Sequence, residues 1–399
     1  MINRPDYIAA IEPFIDKPLV KILAGIRRCG KSTIFEMLRE ELLRRGIGED
    51  QIICKRYTEM DIPENITAKQ MYDELTAAMA GKGHCYLLLD EIQEITGWEK
   101  AVNSLLESAD ADIYVTGSNS KLMSSEISTY LTGRYVSIPV YTLSFKEYLD
   151  FKADSTLSRR ELLEEYIRFG GFPIIALSEY DEQSAYQIVN GIYHTVVSRD
   201  IVKRHRINKQ DLFDRVVKYI IENMGKTFSA NSISTFLKSE HRKVSVESIY
   251  NYLRWLEQAF IIYPCERYDL QGKSILKTQE KYYLADVSLK YALLGYNRKM
   301  LDGAMENIVY LELKRRGYDV YIGKNDTKEI DFVATRRDER IYVQVCVRIP
   351  EASDREVGNL MEIRDHYPKY VVTLNDMDVG IENGIKIVHL QNFLLADTW

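Results

Sequence analysis

The chain has 399 residues, which is enough for about two to four domains of roughly 100–200 residues each. Its residues are 46% hydrophobic and 28% charged, a balance that excludes an intrinsically disordered chain and indicates a globular one. The formal net charge of −6 argues against a protein that coats nucleic acid indiscriminately, although an average can conceal a local basic segment.

Cysteine usage and hydropathy limit the cellular context. The five cysteines are scattered, form no C-x-x-C pair and do not cluster with histidine, so they predict neither a zinc site nor a disulfide framework. The start of the chain lacks the apolar core of a signal peptide, and no apolar run approaches the ~20 residues of a membrane helix. We therefore expect a cytoplasmic protein without a membrane partner.

The first predicted strand leads into a phosphate-binding loop. An apolar run at residues 19–24 is followed at residues 25–32 by the spacing G-x-x-x-x-G-K-S. Apolar residues then recur at helical spacing, which makes a chance match in an ordinary turn the weaker explanation. Lys31 is expected to reach the β- and γ-phosphates of ATP, and Ser32 to ligate Mg²⁺. The predicted nucleotide contacts are Gly25, Ile26, Arg27, Arg28, Cys29, Gly30, Lys31, Ser32 and Thr33.

A second motif follows at residues 86–91, where an apolar strand ends in Asp90 and Glu91. A buried parallel strand presents such carboxylates at its carboxyl end, where ligands bind. Because a phosphate-binding loop lies upstream, we predict that Asp90 holds Mg²⁺ through its water shell. Glu91 is predicted to polarise the water that attacks the γ-phosphate. Without that loop, a strand that merely ends in surface acids would be the better explanation.

Three further residues are candidates for the same site. A third apolar strand at residues 112–115 runs into Ser118 and Asn119, where a polar side chain can contact both the γ-phosphate and the attacking water. A plain turn is the alternative, since Gly, Ser and Asn are ordinary turn residues. Arg134 is a candidate for stabilising charge on the transferring phosphoryl group, from its own chain or from a neighbouring subunit. A surface salt bridge is the alternative for Arg134, so the sequence does not identify the arginine that completes the site.

These motifs, in this order, resemble a family of bacterial and archaeal AAA-type ATPases whose ATPase module is fused to a C-terminal domain similar to restriction endonucleases. The segments that carry the resemblance are GIRRCGKST, YLLLDEIQ, YVTGSNS, LTGRY, LSFKEYL and GGFP. The resemblance covers nearly the whole chain and implies an AAA-type fold and ATP hydrolysis. It also makes assembly into a homo-oligomer plausible. We accordingly expect an ATPase core at residues 1–150 and a helical lid at residues 151–206.

Residues 195–285 form a basic segment, with sixteen lysines and arginines against ten acids. Three predicted helices, at residues 212–224, 230–237 and 246–259, and a following β-hairpin predict a winged helix over residues 207–285. The basic residues expected to contact double-stranded DNA are Arg242, Lys243 and Arg254 on the helical part and Lys273, Lys277 and Lys281 on the hairpin. A winged helix that serves only as a packing module is the alternative.

The last part, residues 286–399, carries the layout of a nuclease-like α/β domain. The residues that match the metal-holding positions of restriction-endonuclease-like enzymes are Glu306 on a predicted helix, Asp331 on a strand and Gln344 on the next strand. The lysine position of that layout is Cys346, and a neutral thiol cannot supply a fixed positive charge. Arg348, two residues further on, is a candidate replacement. An active nuclease is one interpretation, and a degenerate domain used for binding or packing is the better one.

We therefore expect an α/β protein with a P-loop AAA-type ATPase core, a helical lid, a winged-helix module and a C-terminal restriction-endonuclease-like domain. The leading hypothesis is ATP-driven handling of double-stranded DNA, in which the nucleotide state moves the winged helix and the nuclease-like domain. The alternative is a nucleotide-gated signalling or defence switch that hydrolyses ATP rarely and acts through protein contacts.

Overall fold

A computed structural model of the chain shows two compact units. The first comprises Met1–Val140 with Gln258–Phe260, and the second comprises Tyr141–Glu257 with Ile261–Trp399. The residues that the structure describes are 2–58, 63, 66–123, 127, 130–207, 209–242, 244–272, 274–350 and 355–399.

The first unit is a parallel α/β sheet. Its described strands are β1 (Val20–Ala24), β2 (Ile52–Arg56), β3 (Cys85–Asp90), β4 (Ala111–Gly117) and β5 (Tyr135–Pro139). Its described helices include α1 (Pro5–Ile11), α2 (Lys31–Arg44), α3 (Ala68–Met79) and α4 (Trp98–Ser108). The strand order is β2-β3-β4-β1-β5, and the pairings are parallel. β1 and β3 are buried along their whole length, which is why both appear in the sequence as continuous apolar runs.

The strand order of this sheet brings the residues of the predicted nucleotide site close together. Because the strands are parallel, their carboxyl ends lie along one edge. The phosphate-binding loop follows β1, Asp90 ends β3, and Ser118 follows β4, which pairs with both β1 and β3. Residues that are far apart in the sequence therefore reach adjacent positions at this edge.

The second unit begins with a run of helices. They are α5 (Phe145–Phe151), α6 (Arg159–Phe169), α7 (Pro173–Ala176), α8 (Glu182–Val196), the π-helical continuation Val197–Val202, α9 (Lys203–His205), α10 (Gln210–Glu222), α11 (Ala230–Ser239) and α12 (Val246–Gln258). The last three confirm the helices predicted in the basic segment. Among the described helices, none combines the length and the apolar character that spanning a bilayer requires.

The boundary of the first unit differs from the predicted one at residue 150. That residue lies inside α5, which packs on α6, where the ring centroids of Phe145 and Tyr166 are 5.5 Å apart. Because α5 buries its aromatic side chains against α6, it belongs to the second unit, and the first unit ends at Val140.

The rest of the second unit is an eight-stranded mixed sheet with flanking helices. The strands are β6 (Ile262–Asp269), β7 (Ser274–Leu284), β8 (Asp319–Asn325), β9 (Lys328–Arg336), β10 (Glu339–Cys346), β11 (Lys369–Thr373), β12 (Gly380–Glu382) and β13 (Ile385–His389). The helices are α13 (Ser288–Leu294), α14 (Leu301–Arg315), α15 (Arg355–Met361) and α16 (Leu390–Leu395). The strand order is β12-β13-β11-β10-β9-β8-β6-β7.

The connectivity of this sheet has two consequences. After α14, the strands β8, β9 and β10 form an antiparallel meander, and β11 then pairs parallel with β10. The hairpin of β6 and β7, which we predicted to be the wing of a winged helix, is instead the edge of the sheet. Residues 267–269 of β6 pair with residues 322–324 of β8. The hairpin is therefore part of the eight-stranded sheet and does not stand apart from it as a separate wing.

Candidate functional site

Two glycines shape the phosphate-binding loop. A side chain at Gly25 would place its Cβ 1.9 Å from the carbonyl oxygen of Val140, so glycine is required there. Gly30 has a φ of 102°, in the left-handed region that glycine favours, and α2 begins at the next residue. The loop therefore passes directly into the amino end of a 14-residue helix, where free N–H groups and the helix dipole favour an anion.

Lys31 lies folded over the loop. It is only 4% exposed, and its Nζ donates hydrogen bonds to the carbonyl oxygens of Gly25 at 2.9 Å and Ile26 at 3.1 Å. Both acceptors are neutral. The ammonium is therefore held in position while its charge remains available to an anion that enters the loop.

A buried arginine, Arg4, also contacts the phosphate-binding loop. Arg4, just before α1, donates from Nη1 to the carbonyl oxygen of Cys29 at 2.8 Å, and its guanidinium lies 4.5 Å from the ring centroid of Tyr7. Cys29 itself is fully buried. The sequence analysis missed Arg4, because an arginine in a short lead-in segment carries no local signal of this contact.

Asp90 is brought into contact with the loop, as the metal-site prediction required. The hydroxyl of Ser32 donates to its Oδ2 at 2.7 Å, and the hydroxyl of Thr116 donates to its Oδ1. Arg56 donates from Nε to Oδ2 at 3.0 Å. A serine hydroxyl beside a carboxylate provides the hard oxygen ligands that Mg²⁺ prefers, so these residues fit that ion.

Glu91 is fixed both by its backbone and by its side chain. Its φ of 55° is left-handed, and its N–H donates to the hydroxyl of Thr116 at 3.1 Å. Its Oε2 accepts hydrogen bonds from Ser118 Oγ at 3.3 Å and from the side-chain amide of Gln93. Ser118 thus bonds Glu91, and its predicted contact with the γ-phosphate and the attacking water stays a prediction. The role of Asn119, buried beside it, stays a prediction.

Three residues of this edge escaped the sequence analysis. Thr116 and Arg56 both bond Asp90, and Gln93 bonds Glu91. Arg56 ends β2 in register with Asp90, so parallel pairing of the two strands was the signal that could have identified it. Gly117 allows the approach of Gln93, since a Cβ there would lie 2.2 Å from Gln93 Oε1.

Arg134 lies at the opposite edge of the sheet. Its carbonyl accepts a hydrogen bond from the N–H of Val20, the first residue of β1, whereas the phosphate-binding loop follows the last residue of β1. Its Nη2 contacts Glu107 Oε1 at 2.7 Å and Asn103 Oδ1 at 2.9 Å. The prediction that Arg134 serves the site of its own chain is wrong, because a whole strand separates them. A role in a neighbouring subunit's site stays a prediction.

The structure also brings together Asp331 and Gln344, two of the predicted metal-holding residues of the nuclease-like domain. The Asp331 N–H donates to Gln344 Oε1 at 2.6 Å, and the Gln344 amide donates to Glu356 Oε2 at 2.8 Å. Asp331 Oδ2 accepts the N–H of Val345 at 2.9 Å. These bonds place Asp331 and Gln344 side by side on β9 and β10, as predicted, but they also occupy the oxygens that were expected to bind metal.

Lys281 of β7 lies in the same place. Its Nζ is 2.9 Å from Glu329 Oε1, 3.4 Å from Glu306 Oε2 and 3.9 Å from Asp331 Oδ1, and its side chain is 4% exposed. The prediction that Lys281 contacts DNA from a wing is therefore wrong. Arg348, the predicted replacement cation, lies beyond the end of β10 and is exposed, so it does not fill that role.

Cys346 ends β10 as a buried thiol. Burial, together with Glu356 and other nearby acids, raises the pKa of Cys346 to about 12. The thiol therefore stays neutral at physiological pH and supplies no charge to Asp331, in agreement with the sequence analysis.

The residues of the basic segment that were predicted to contact DNA lie in different surroundings. Arg242 pairs with Asp211 at 2.8 Å, although both side chains remain exposed. Arg254 lines a cavity of about 490 Å³ that also contains Glu257 and Glu280. Lys243 and Lys273 lie outside the described residues, as does the side chain of Lys277.

Comparisons with protein families identify two regions. Residues 17–149 match a family described as an AAA domain, and residues 160–299 match a domain of unknown function, DUF8612. The first match spans β1 to β5, and it includes the phosphate-binding loop and the acids Asp90 and Glu91.

Whole-chain comparisons extend the similarity. The chain is 36% identical over 398 residues to an uncharacterized protein of Haemophilus influenzae, covering 99% of each. It is 32% identical over 354 residues to the uncharacterized protein MJ1544 of Methanocaldococcus jannaschii, covering 85% of this chain and 77% of that one. Among solved structures, it is similar to the Walker-type ATPase PABY2304 of Pyrococcus abyssi, with a TM-score of 0.53 and 15% identity over 73% of this chain and 96% of that chain. At this identity the likeness concerns the fold alone.

Proposed function

Because the chain belongs to the same family as these uncharacterized proteins of H. influenzae and M. jannaschii, and carries an AAA domain, we propose that it binds ATP with Mg²⁺ and hydrolyses it. The observation that carries the proposal is the contact of Ser32 with Asp90 beside the Glu91 carboxylate, all at the edge that holds the phosphate-binding loop. This combination of a hydroxyl, two carboxylates and a phosphate-binding loop supports phosphoryl transfer.

The loop and its lysine bind the nucleotide. The N–H groups of residues 25–32 and of the start of α2 donate hydrogen bonds to the phosphates, and Lys31 turns from the two loop carbonyls to phosphate oxygens. Ser32 and Asp90 would hold Mg²⁺, which supplies neutralising charge to the phosphates. Arg56, whose Nε donates to Asp90 Oδ2 at 3.0 Å, holds the orientation of this carboxylate.

Glu91 acts on the attacking water. Its carboxylate orients the water and accepts its proton, while Ser118 and Gln93 set the direction of the carboxylate. The backbone at Glu91 is left-handed, with a φ of 55°. This strained conformation is held by the bond from its N–H to Thr116.

The test compares Glu91→Gln with Glu40→Gln. Glu91→Gln removes the proton acceptor but keeps the shape, so ATP binding should persist while turnover falls by about a hundredfold or more. Glu40, exposed on α2, is the matched control and should leave both unchanged. ATP binding is measured by titration and turnover by phosphate release. Parental turnover in Glu91→Gln would contradict the assignment of Glu91.

The C-terminal region is proposed to be a degenerate restriction-endonuclease-like domain. The order of α14, the meander of β8 to β10, α15 and the parallel strand β11 supports this arrangement, as does the grouping of Glu306, Asp331 and Gln344. The neutral Cys346 supports loss of cleavage. We expect no Mg²⁺- or Mn²⁺-dependent cleavage of linear or supercoiled DNA.

The protein is further proposed to act on double-stranded DNA through the basic segment. The excess of basic residues at 195–285 and the three helices α10, α11 and α12 support this proposal. Replacing exposed Arg242 and Arg254 by Ala should weaken binding to a duplex and flatten its salt dependence by about two charges. Unchanged affinity and salt slope would leave the segment as a packing module.

A nucleotide-gated switch in signalling or defence is the second candidate. It is supported by the two donors on Glu91, because Ser118 and Gln93 both bond Oε2, and that oxygen takes a proton from water only after a donor turns away. Turnover measured with and without duplex DNA separates the candidates. Stimulation favours DNA handling, and slow turnover that no nucleic acid changes favours the switch.

A further inference from the structure

Four charged side chains meet inside the second unit, and we call them the lysine–carboxylate cluster: Lys281, Glu306, Glu329 and Asp331. They come from β7, α14 and β9, so three separate elements converge on one ammonium. All three carboxylates lie within 3.9 Å of Lys281 Nζ, and the shortest distance, to Glu329, is 2.9 Å. The ammonium is thus the centre of the cluster.

The surroundings favour a charged lysine. Burial alone would lower the pKa of Lys281, but Glu306, Asp331 and Glu329 together outweigh burial and raise it. Burial and the neighbouring Asp331 raise the pKa of Glu306. A buried ammonium is stable only when carboxylates pair with it, and here they do.

Other groups also bond two carboxylates of the cluster and the neighbouring Gln344. Tyr283 donates its hydroxyl to Glu306 Oε2 at 3.1 Å, and the N–H of Val345 donates to Asp331 Oδ2. The Gln344 oxygen accepts the N–H of Asp331. Within the described ranges, no group of three or more His, Cys, Asp or Glu side chains is arranged to hold a metal ion. The residues present therefore do not fit the divalent cation that the predicted layout implied.

We propose that the ammonium of Lys281 is the permanent cation of the lysine–carboxylate cluster and takes the place of a divalent metal ion. The cluster binds neither Mg²⁺ nor Mn²⁺, and the lysine joins the edge hairpin of β6 and β7 to α14 and β9. This inference goes beyond ATP hydrolysis and does not depend on it, since every group involved lies in the second unit.

The proposal predicts that removing the lysine creates a metal site. In Lys281→Met, the freed carboxylates should bind Mn²⁺, so MnCl₂ should raise the melting temperature of the full-length variant by about 3–5 °C or more, by mass action. The melting temperature of the parent should not respond. Adding Asp331→Asn to Lys281→Met should abolish the response.

Lys290 provides the matched control. It is also buried in the second unit, but within the part of the chain that the structure describes it forms no ion pair. Burial and nearby Lys226 lower the pKa of Lys290 and outweigh the opposing effect of Glu306. Lys290→Met therefore removes a buried lysine while the ammonium of Lys281 stays among the three carboxylates, and its melting temperature should not respond to MnCl₂.

Direct Mn²⁺ binding keeps the proposal testable if Lys281→Met does not fold. Binding is measured on nucleotide-free parent and on Asp331→Asn by electron paramagnetic resonance of free Mn²⁺. Equal binding by the two proteins supports the proposal. Weaker binding by Asp331→Asn overturns it, because the cluster would then hold metal beside Lys281. A folded Lys281→Met that gains no Mn²⁺ response also overturns it, as does DNA cleavage by the parent that Asp331→Asn removes.

Discussion

Lys31 and Lys281 are both buried lysines, but they face opposite kinds of oxygen. Lys31 donates to two neutral carbonyls of its own loop, at 2.9 and 3.1 Å. Lys281 lies among three carboxylates, the nearest at 2.9 Å. An ammonium bonded to neutral carbonyls keeps its charge for an incoming anion, whereas one paired with carboxylates is already neutralised. A buried lysine therefore indicates a ligand site only where the surrounding protein leaves its charge uncompensated.

The carboxylates of the two regions differ in the same way. Asp90 receives hydroxyl groups from Ser32 and Thr116, which can themselves turn toward a metal ion or its water. Asp331 receives a backbone N–H, which cannot be displaced without breaking the contact of β9 with β10. The first arrangement can exchange partners with a ligand, and the second one is structural.

The largest effect should come from Lys31→Ala. Removing the ammonium deprives the phosphates of their cation, so ATP turnover should fall by about a hundredfold or more, and tight ATP binding should be lost. Lys100→Ala, at an exposed position of α4, is the control. Phosphate release and ATP titration measure the two quantities. If turnover of Lys31→Ala stayed within about threefold of the parent, the inference that Lys31, unlike Lys281, keeps its charge for an anion would be wrong.

Lys281→Met should affect stability instead of turnover. Loss of the ammonium leaves buried carboxylates without a partner, which typically costs about 3–5 kcal/mol and should lower the melting temperature by about 10 °C. Calorimetry of the full chain measures this shift. Lys290→Met should cause a clearly smaller loss, because burial already disfavours the charge of Lys290. Equal losses in the two variants would show that burial, rather than pairing, determines the effect.

Ser118→Ala should have a moderate effect on turnover. The hydroxyl donates to Glu91, and a hydrogen bond to a charged group contributes about 1.5–3 kcal/mol, so turnover should fall about tenfold or somewhat more. Asn119→Ala, measured in the same phosphate-release assay, shows whether Ser118 or Asn119 is the residue that contributes to turnover. A fall with Asn119→Ala and none with Ser118→Ala would reverse the assignment.

Arg134→Ala should have the smallest effect on single chains. Its exposed pair with Glu107 contributes little, so turnover at dilute concentration should stay within about twofold of the parent. Arg44→Ala, another exposed arginine paired within its own unit, is the control. Turnover per chain is followed over a concentration series with light scattering. A loss confined to Arg134→Ala at concentrations where the parent assembles would indicate that the arginine serves a neighbouring subunit.

The nucleotide edge was largely predictable because its signals are local. The spacing of Gly25, Gly30 and Lys31 specifies a turn and a helix start within a few residues, and the apolar run before Asp90 specifies a buried strand. The partners Arg56 and Gln93 were not predictable in the same way. Their contacts depend on which strands are neighbours and on how closely Gly117 lets a side chain approach.

The sequence by itself determined the phosphate-binding loop, the acids that end β3, the three helices of the basic segment and the neutrality of Cys346. Each of these follows from residue type and short-range spacing. Only the tertiary structure decided that Arg134 lies at the far edge of its sheet and that Lys281 enters the carboxylate cluster. Both outcomes depend on strand pairing between distant segments. Such pairing is set by burial of the whole sheet, and a one-residue change of register would turn Lys281 to the other face.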